Sequence, residues 1–119
     1  MLIAHLPQPF VFANFAGAGA TAILVQTAAT VNIINTLVRD NYYGVYLSSG
    51  ALSSISGSQF VGNSQGGVVT NGGSATVSDN MVARNGTGLW NMSGTLKSLG
   101  NNNVTDNGSN TNGTITPAP

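Results

Sequence analysis

TVNIINTLVRDNYYGVYL, residues 30–47, is the unit that the rest of the chain repeats. Positions inside it recur at a constant spacing of about 22 residues, and residue character is preserved in three columns. Ile33 is followed by Ile55, Val77 and Leu99, and Val38 by Phe60, Val82 and Val104, while Asn41 is followed by Asn63, Asn85 and Asn107. A fixed period of this length, made of short apolar runs and Asn/Gly turns, means that each repeat is one supersecondary unit that buries its apolar side only against its neighbours. Within the unit, Val31 and Ile33 alternate with Asn32, and Val45 and Leu47 alternate with Tyr46. That is the period-two signature of strands with one buried face. Between these two strands the chain must turn twice within a short segment. Asn35–Val38 supplies one bend and Asp40–Gly44 the other, because Asn and Gly tolerate the left-handed backbone of tight corners. Strands so close in sequence leave no room for a helical crossover, so parallel stacking requires a chain that winds on itself. The fold expected is all-β, a parallel solenoid of four to five coils of about 22 residues, hydrogen-bonded coil to coil at about 4.8 Å.

The flanks are less regular. Residues 1–28 are the most apolar part, with Leu2, Ile3, Leu6, Phe10, Val11, Phe12 and Phe15 ahead of a Gly/Ala run. A short apolar segment before Ala16-Gly17-Ala18 superficially resembles a secretory signal, but Pro7, Pro9 and the lack of Lys or Arg at the start argue against it. The expectation is a degenerate first coil or truncated cap, in which Val11 lies under Ile33, Ala16 under Val38, and Ile23 and Val25 under Val45 and Leu47. Residues 29–107 are the repeats. Residues 108–119, entered through Asn107-Gly108 and holding Asn112-Gly113, Pro117 and Pro119, read as a polar exit from the stack. On this reading the chain is the C-terminal part of a longer solenoid or a minimal version of one. No apolar run reaches the ~18 residues of a membrane span.

The segments NTLVRDNYYGVYL, QFVGNSQGGVV and MVARNGTGLW resemble the right-handed parallel β-helix repeat of the pectin-lyase-like superfamily, over residues 22–107. The resemblance implies a single-stranded right-handed parallel β-helix. It implies little about function, because that superfamily includes polysaccharide lyases and hydrolases, tailspikes, adhesins and repeat proteins without assigned activity. The closing LGNNNVTDNGSNTNGTITPAP is similar to the ends of bacterial repeat proteins of the last kind.

Composition narrows the function classes. The chain holds three basic and three acidic residues, one histidine and no cysteine, with formal charge zero. It therefore lacks the electrostatic grip that nucleic acid or anionic lipid requires, and any thiolate metal site. Asp40 and Asp106 share a column three coils apart, about 14 Å, and Asp79 lies beyond about 10 Å in another column, outside the spacing of paired glycosidase carboxylates. A lone carboxylate is also a poor calcium site, so no metal, cofactor or catalytic residue is assigned. Arg84, flanked by Asp40 and Asp106 in its column, reads as a solvated corner charge. His5 has no catalytic partner near it in sequence.

Asn41, Asn63, Asn85 and Asn107 read as an amide ladder rather than a ligand site, because identical amides stacked at the strand spacing hydrogen-bond coil to coil. Tyr42, Tyr43, Tyr46 and Trp90 are the candidate carbohydrate contacts, as aromatic platforms for sugar rings. The small residues Asn32, Ile34, Ser54, Ser56, Thr76, Ser78, Ser98 and Gly100 form an array faintly like an ice-binding face. The function expected is a non-catalytic repeat segment of a secreted or cell-surface protein of bacterial type, a scaffold or adhesin contacting carbohydrate or associating with itself through its N-terminal edge. The alternative is the C-terminal part of a polysaccharide lyase or glycoside hydrolase whose active site lies on other coils.

Overall fold

The structure, a computed structural model, describes residues 2–4, 8–10, 13–16 and 20–118, with side chains described for 20–117. In chain order the strands are β1 (Leu2–Ala4), β2 (Gln8–Phe10), β3 (Ala13–Ala16), β4 (Thr21–Val25), β5 (Thr30–Ile34), β6 (Thr36–Arg39) and β7 (Tyr43–Ser48). They continue as β8 (Leu52–Ser56), β9 (Gln59–Val61), β10 (Gly66–Ser78), β11 (Met81–Ala83), β12 (Thr87–Leu99), β13 (Asn103–Thr105), β14 (Ser109–Asn112) and β15 (Thr116–Ala118). All pairings are parallel and join each strand to its equivalent one coil away. No helix among the described residues is long and apolar enough to cross a membrane.

Each coil has three strands rather than two. In the coil of residues 30–48 they are β5, β6 and β7, which define the first, second and third faces of a three-sided prism. The expected bend over Asn35–Val38 is confined to Asn35, whose φ of 49° turns the chain in a single step. Thr36 and Val38 then point inward and Leu37 and Arg39 outward, the alternation of a short strand. Asp40, with φ 60°, makes the next corner in the same way. β10 and β12 run on from the third face into the first, bending at Gly72 and Gly94, so these two faces form one ten-stranded sheet. The second face is a separate five-stranded sheet.

The core is the interior of the prism. Ile33, Ile55 and Val77 are fully buried in one column, and Val38, Phe60 and Val82 in another, with Val104 partly buried at its end. Leu99 departs from the expected column. β12 pairs with β10 one position short of the repeat from its first pair, Gly66 with Thr87, and keeps that offset past the irregularity at Asn71, so Ser98 pairs with Val77 and Leu99 is left half-buried beyond it. Leu96 is the buried residue instead, in register with Ala75. The slip is favourable because that column, Val31, Ser53, Ala75, Leu96, is thin in its middle coils and a leucine fills volume that Ser53 and Ala75 leave. The same slip breaks the expected small-residue array, since Lys97 and not Ser98 stands beside Thr76.

Both flanks are wound into the stack. In the first coil the register is one position longer than the repeat on two faces, so Phe10 pairs with Ile33 and Phe15 with Val38, in place of the expected Val11 and Ala16. Ile23 and Val25 pair with Val45 and Leu47 as expected. At the other end, β14 and β15 pair with β12 through Ser109–Asn112 and Thr116–Ala118, so residues 108–118 continue the helix rather than leave it. Pro117 is accommodated because β15 is an edge strand within the described residues, where a missing N–H breaks no ladder.

Candidate functional site

Two hydrogen-bonded ladders hold the corners on either side of the second face. At the corner before β7, Asn41 donates its backbone N–H and its Nδ2 to Asn63 Oδ1, both at 3.1 Å. Asn63 does the same to Asn85 Oδ1 at 3.0 and 2.9 Å, and Asn85 to Asn107 Oδ1 at 2.9 and 3.0 Å. Each inner amide also donates to a strand carbonyl at the end of the second face, Asn63 to Val38 O and Asn85 to Phe60 O. The series ends on Asn110, whose Oδ1 accepts from Asn107 Nδ2 at 3.1 Å. Such packing needs a bare backbone beside it. A Cβ on Gly67 would lie 3.1 Å from Asn85 Nδ2 and 2.9 Å from Gly88 O, so the strand that follows the ladder can hold only glycine there.

The second ladder, at the corner before β6, has mixed chemistry. Thr36 N–H donates to Ser58 Oγ at 3.1 Å, Ser58 N–H to Asn80 Oδ1 at 2.9 Å, and Asn80 N–H to Asn102 Oδ1 at 3.0 Å. Asn80 Nδ2 donates to Ile55 O and Asn102 Nδ2 to Val77 O, repeating the amide-to-carbonyl bond of the first ladder. The sequence does carry a signal for it, a polar residue recurring at the repeat spacing, but not one residue type. Every rung of both ladders satisfies a backbone donor that a corner would otherwise orphan. The arrangement is structural, and Asn63, at 0% exposure, is out of reach of any ligand.

The aromatic side chains converge on the outside of the third face. Tyr43 packs edge-on against Tyr42 and Tyr46, with ring centroids 5.1 Å away in each case, and lies 6.4 Å from Trp90. Register explains the meeting. Tyr46, Val69 and Trp90 are direct neighbours on β7, β10 and β12, and Tyr43 stands beside Gly66, where an added Cβ would be 3.5 Å from both the Tyr43 and the Trp90 rings. Val69, an outward residue, is fully buried beneath these rings. Tyr42 is 45% exposed, whereas Tyr43, Tyr46 and Trp90 are half-buried. Polar groups flank the patch: Asn71 Nδ2 donates to Tyr46 Oη at 2.7 Å, and Ser93 Oγ donates to Asn71 Oδ1 at 3.0 Å. Burial, and then the neighbouring Tyr42 and Tyr46 hydroxyls, raise the Tyr43 pKa above its ordinary value of 10.0.

The first face carries a shallow concavity of about 470 Å³, bordered by Asn32, Leu52, Ser54, Ser74, Thr76 and Lys97. It offers hydroxyls, one half-exposed leucine and one ammonium. Asp40, Arg84 and Asp106 occupy left-handed corner positions of one column, with φ of 60°, 56° and 58°. The ion pair among the described residues is instead Arg39 to its neighbour Asp40, 2.9 Å and exposed on both sides, where solvent leaves it little energy. Asp79 sits at the other corner, its backbone N–H bonded to Asn101 Oδ1. The described residues contain no group of three or more His, Asp or Glu placed to hold a metal ion. His5 lies outside the described residues.

Residues 12–115 match the family described as the right handed beta helix region. No curated protein and no solved structure matches the chain.

Proposed function

The chain belongs to the right-handed β-helix family, and from that premise we propose that it is a non-catalytic scaffold segment of a secreted or cell-surface protein, which contacts neutral carbohydrate through the outer aromatic patch of its third face. The β-helix supplies the rigid frame. The observation that carries the reading is the convergence of Tyr42, Tyr43, Tyr46 and Trp90, from two coils far apart in sequence, onto one outer surface. Such rings stack on the C–H faces of sugars, and the Asn71 amide and the Ser93 hydroxyl beside them supply hydrogen bonds to sugar hydroxyls. Every side chain in this patch is uncharged, which favours neutral over acidic glycans. The partly buried, mutually packed rings also pre-order the surface, so little side-chain freedom remains to be lost on binding.

Trp90 is the single tryptophan and reports directly on the patch. Adding neutral oligosaccharides to the full chain is expected to shift its fluorescence saturably, and Tyr46→Ala to abolish the shift while circular dichroism stays β-rich. Indifference of Trp90 to every neutral glycan tried, with acidic ones as the comparison, sinks the reading. Surface labelling of intact cells tests the location separately.

A further inference from the structure

The sequence contains four Asn-Gly pairs, Asn71-Gly72, Asn85-Gly86, Asn107-Gly108 and Asn112-Gly113. Asn-Gly is the dipeptide most prone to spontaneous deamidation, because glycine leaves its backbone nitrogen unshielded. In that reaction the glycine nitrogen attacks the asparagine Cγ, the new N–Cγ bond forms, and the Cγ–Nδ2 bond breaks with loss of ammonia. Water then opens the succinimide at either carbonyl, to aspartate or isoaspartate. Two conditions must be met: the Cγ must be free to swing onto the following nitrogen, and that nitrogen must leave any hydrogen bond it makes.

The four sites differ sharply in the first respect, and at the two ladder sites the following glycine nitrogen is bonded as well. Asn85 is 3% exposed. Its Oδ1 accepts two bonds from Asn63, its Nδ2 donates to Phe60 O and Asn107 Oδ1, and Gly86 N–H donates to Asn63 O at 3.0 Å. Asn107 is half-buried; its Nδ2 donates to Val82 O and Thr105 O, and Gly108 N–H donates to Asn85 O at 2.9 Å. Asn71 is exposed but tied at both amide atoms, to Tyr46 Oη and Ser93 Oγ. Asn112 is exposed at the end of β14, and no hydrogen bond to a described residue holds its amide.

We propose that Asn112 is a spontaneous modification site, converting to aspartate or isoaspartate in the native protein while the ladder amides Asn85 and Asn107 are kinetically protected. Reaction at the ladder requires the coil to open first, and local opening carries a free-energy cost that lowers the rate in proportion. The expected order is Asn112 fastest, then Asn71, then Asn107, then Asn85. The product places a negative charge beside Trp90, the neighbour of Asn112 in register, on an otherwise neutral surface.

Trypsin separates the sites, because cleavage after Arg39, Arg84 and Lys97 puts Asn71 in residues 40–84, Asn85 in 85–97, and Asn107 with Asn112 in 98–119. The folded chain is incubated in mildly alkaline buffer and mapped by fragmentation mass spectrometry over time. Asn112 is expected to convert at least tenfold faster than Asn107 within the same peptide, and the two rates to converge in urea. Tyr46→Phe is expected to accelerate Asn71 alone. Equal native rates at Asn112 and Asn107, or an Asn112 that reacts only in urea, overturns the proposal.

Discussion

The two corners that flank the second face perform the same task with different chemistry. At the corner before β7 four asparagines repeat at positions 41, 63, 85 and 107; at the corner before β6 the equivalent positions hold Thr36, Ser58, Asn80 and Asn102. In both, a side-chain oxygen accepts the backbone N–H of the preceding coil. The corner demands an acceptor at that point, and the amide is one way of providing it. What asparagine adds is a second function, an Nδ2 that also donates to a strand carbonyl, as Asn85 does to Phe60 and Asn80 to Ile55.

The largest expected effect is at the centre of the all-asparagine corner. Asn85→Ala strands the Asn63 backbone N–H, one of the two Asn63 Nδ2 hydrogens and the Phe60 carbonyl together, and should cost about 3 kcal/mol, against about 2 kcal/mol for Asn80→Ala, which strands fewer groups. Urea midpoints at unchanged slope measure both. If Asn80→Ala proves the costlier, identical amides do not strengthen a corner.

Two buried serines sharpen the comparison by sign. Ser58 Oγ is satisfied by Thr36 N–H and Ser56 O, whereas Ser53 Oγ, facing the core at 7% exposure, has no partner among the described residues. Ser58→Ala is expected to destabilise by about 1 kcal/mol and Ser53→Ala to stabilise by a similar ~1 kcal/mol, because the first creates an unpaired group and the second removes one. Thermal midpoints moving in the same direction would break the argument. Smaller still, Ser58→Asn converts the mixed corner toward the uniform one and should gain about 0.5 kcal/mol through the added donor. A loss there would mean that the corner is too tight for an amide.

The smallest effect lies outside the corners altogether. The raised Tyr43 pKa means that the folded state holds this proton more firmly than the unfolded chain does. Its contribution is therefore complete below the ordinary tyrosine value of 10.0 and is lost as pH climbs from there through the higher folded value. Tyr43→Phe should flatten that alkaline decline in stability, and an unchanged decline would remove Tyr43 as its source.

Much of the fold is legible because the three repeating columns impose their period directly on the sequence. The third strand is not, since Thr36–Arg39 is short and the tight corner at Asn35 leaves no run of turn residues to announce it. The mixed ladder is hidden for a related reason: a search for identical residues misses a column in which Thr, Ser and Asn do one job. Leu99 is displaced because β12 pairs with β10 one position short of the repeat, and nothing in the pattern distinguishes it from Leu96 except the space that Ser53 and Ala75 leave unfilled. For the candidate site, the aromatic residues stand out singly, but their meeting depends on register. Trp90 comes opposite Val69 and not opposite Val68, because the coil from Gly66 to Thr87 is one position shorter than the repeat.

That short coil follows a long one. Gly66 pairs with Tyr43 one position later than the repeat dictates, and Thr87 pairs with Gly66 one position earlier, so Tyr43 and Thr87 are again two full periods apart. The surplus falls in the exposed Ser64-Gln65 corner, is carried along residues 66–71 and is removed before Ser74, which pairs with Leu52 at the full repeat. Insertions are thus corrected locally, like a dropped stitch picked up in the next row. A gene for such a chain can lose or gain codons at its corners, or duplicate a whole period from any starting point, and still encode a stack in which every strand finds its partner.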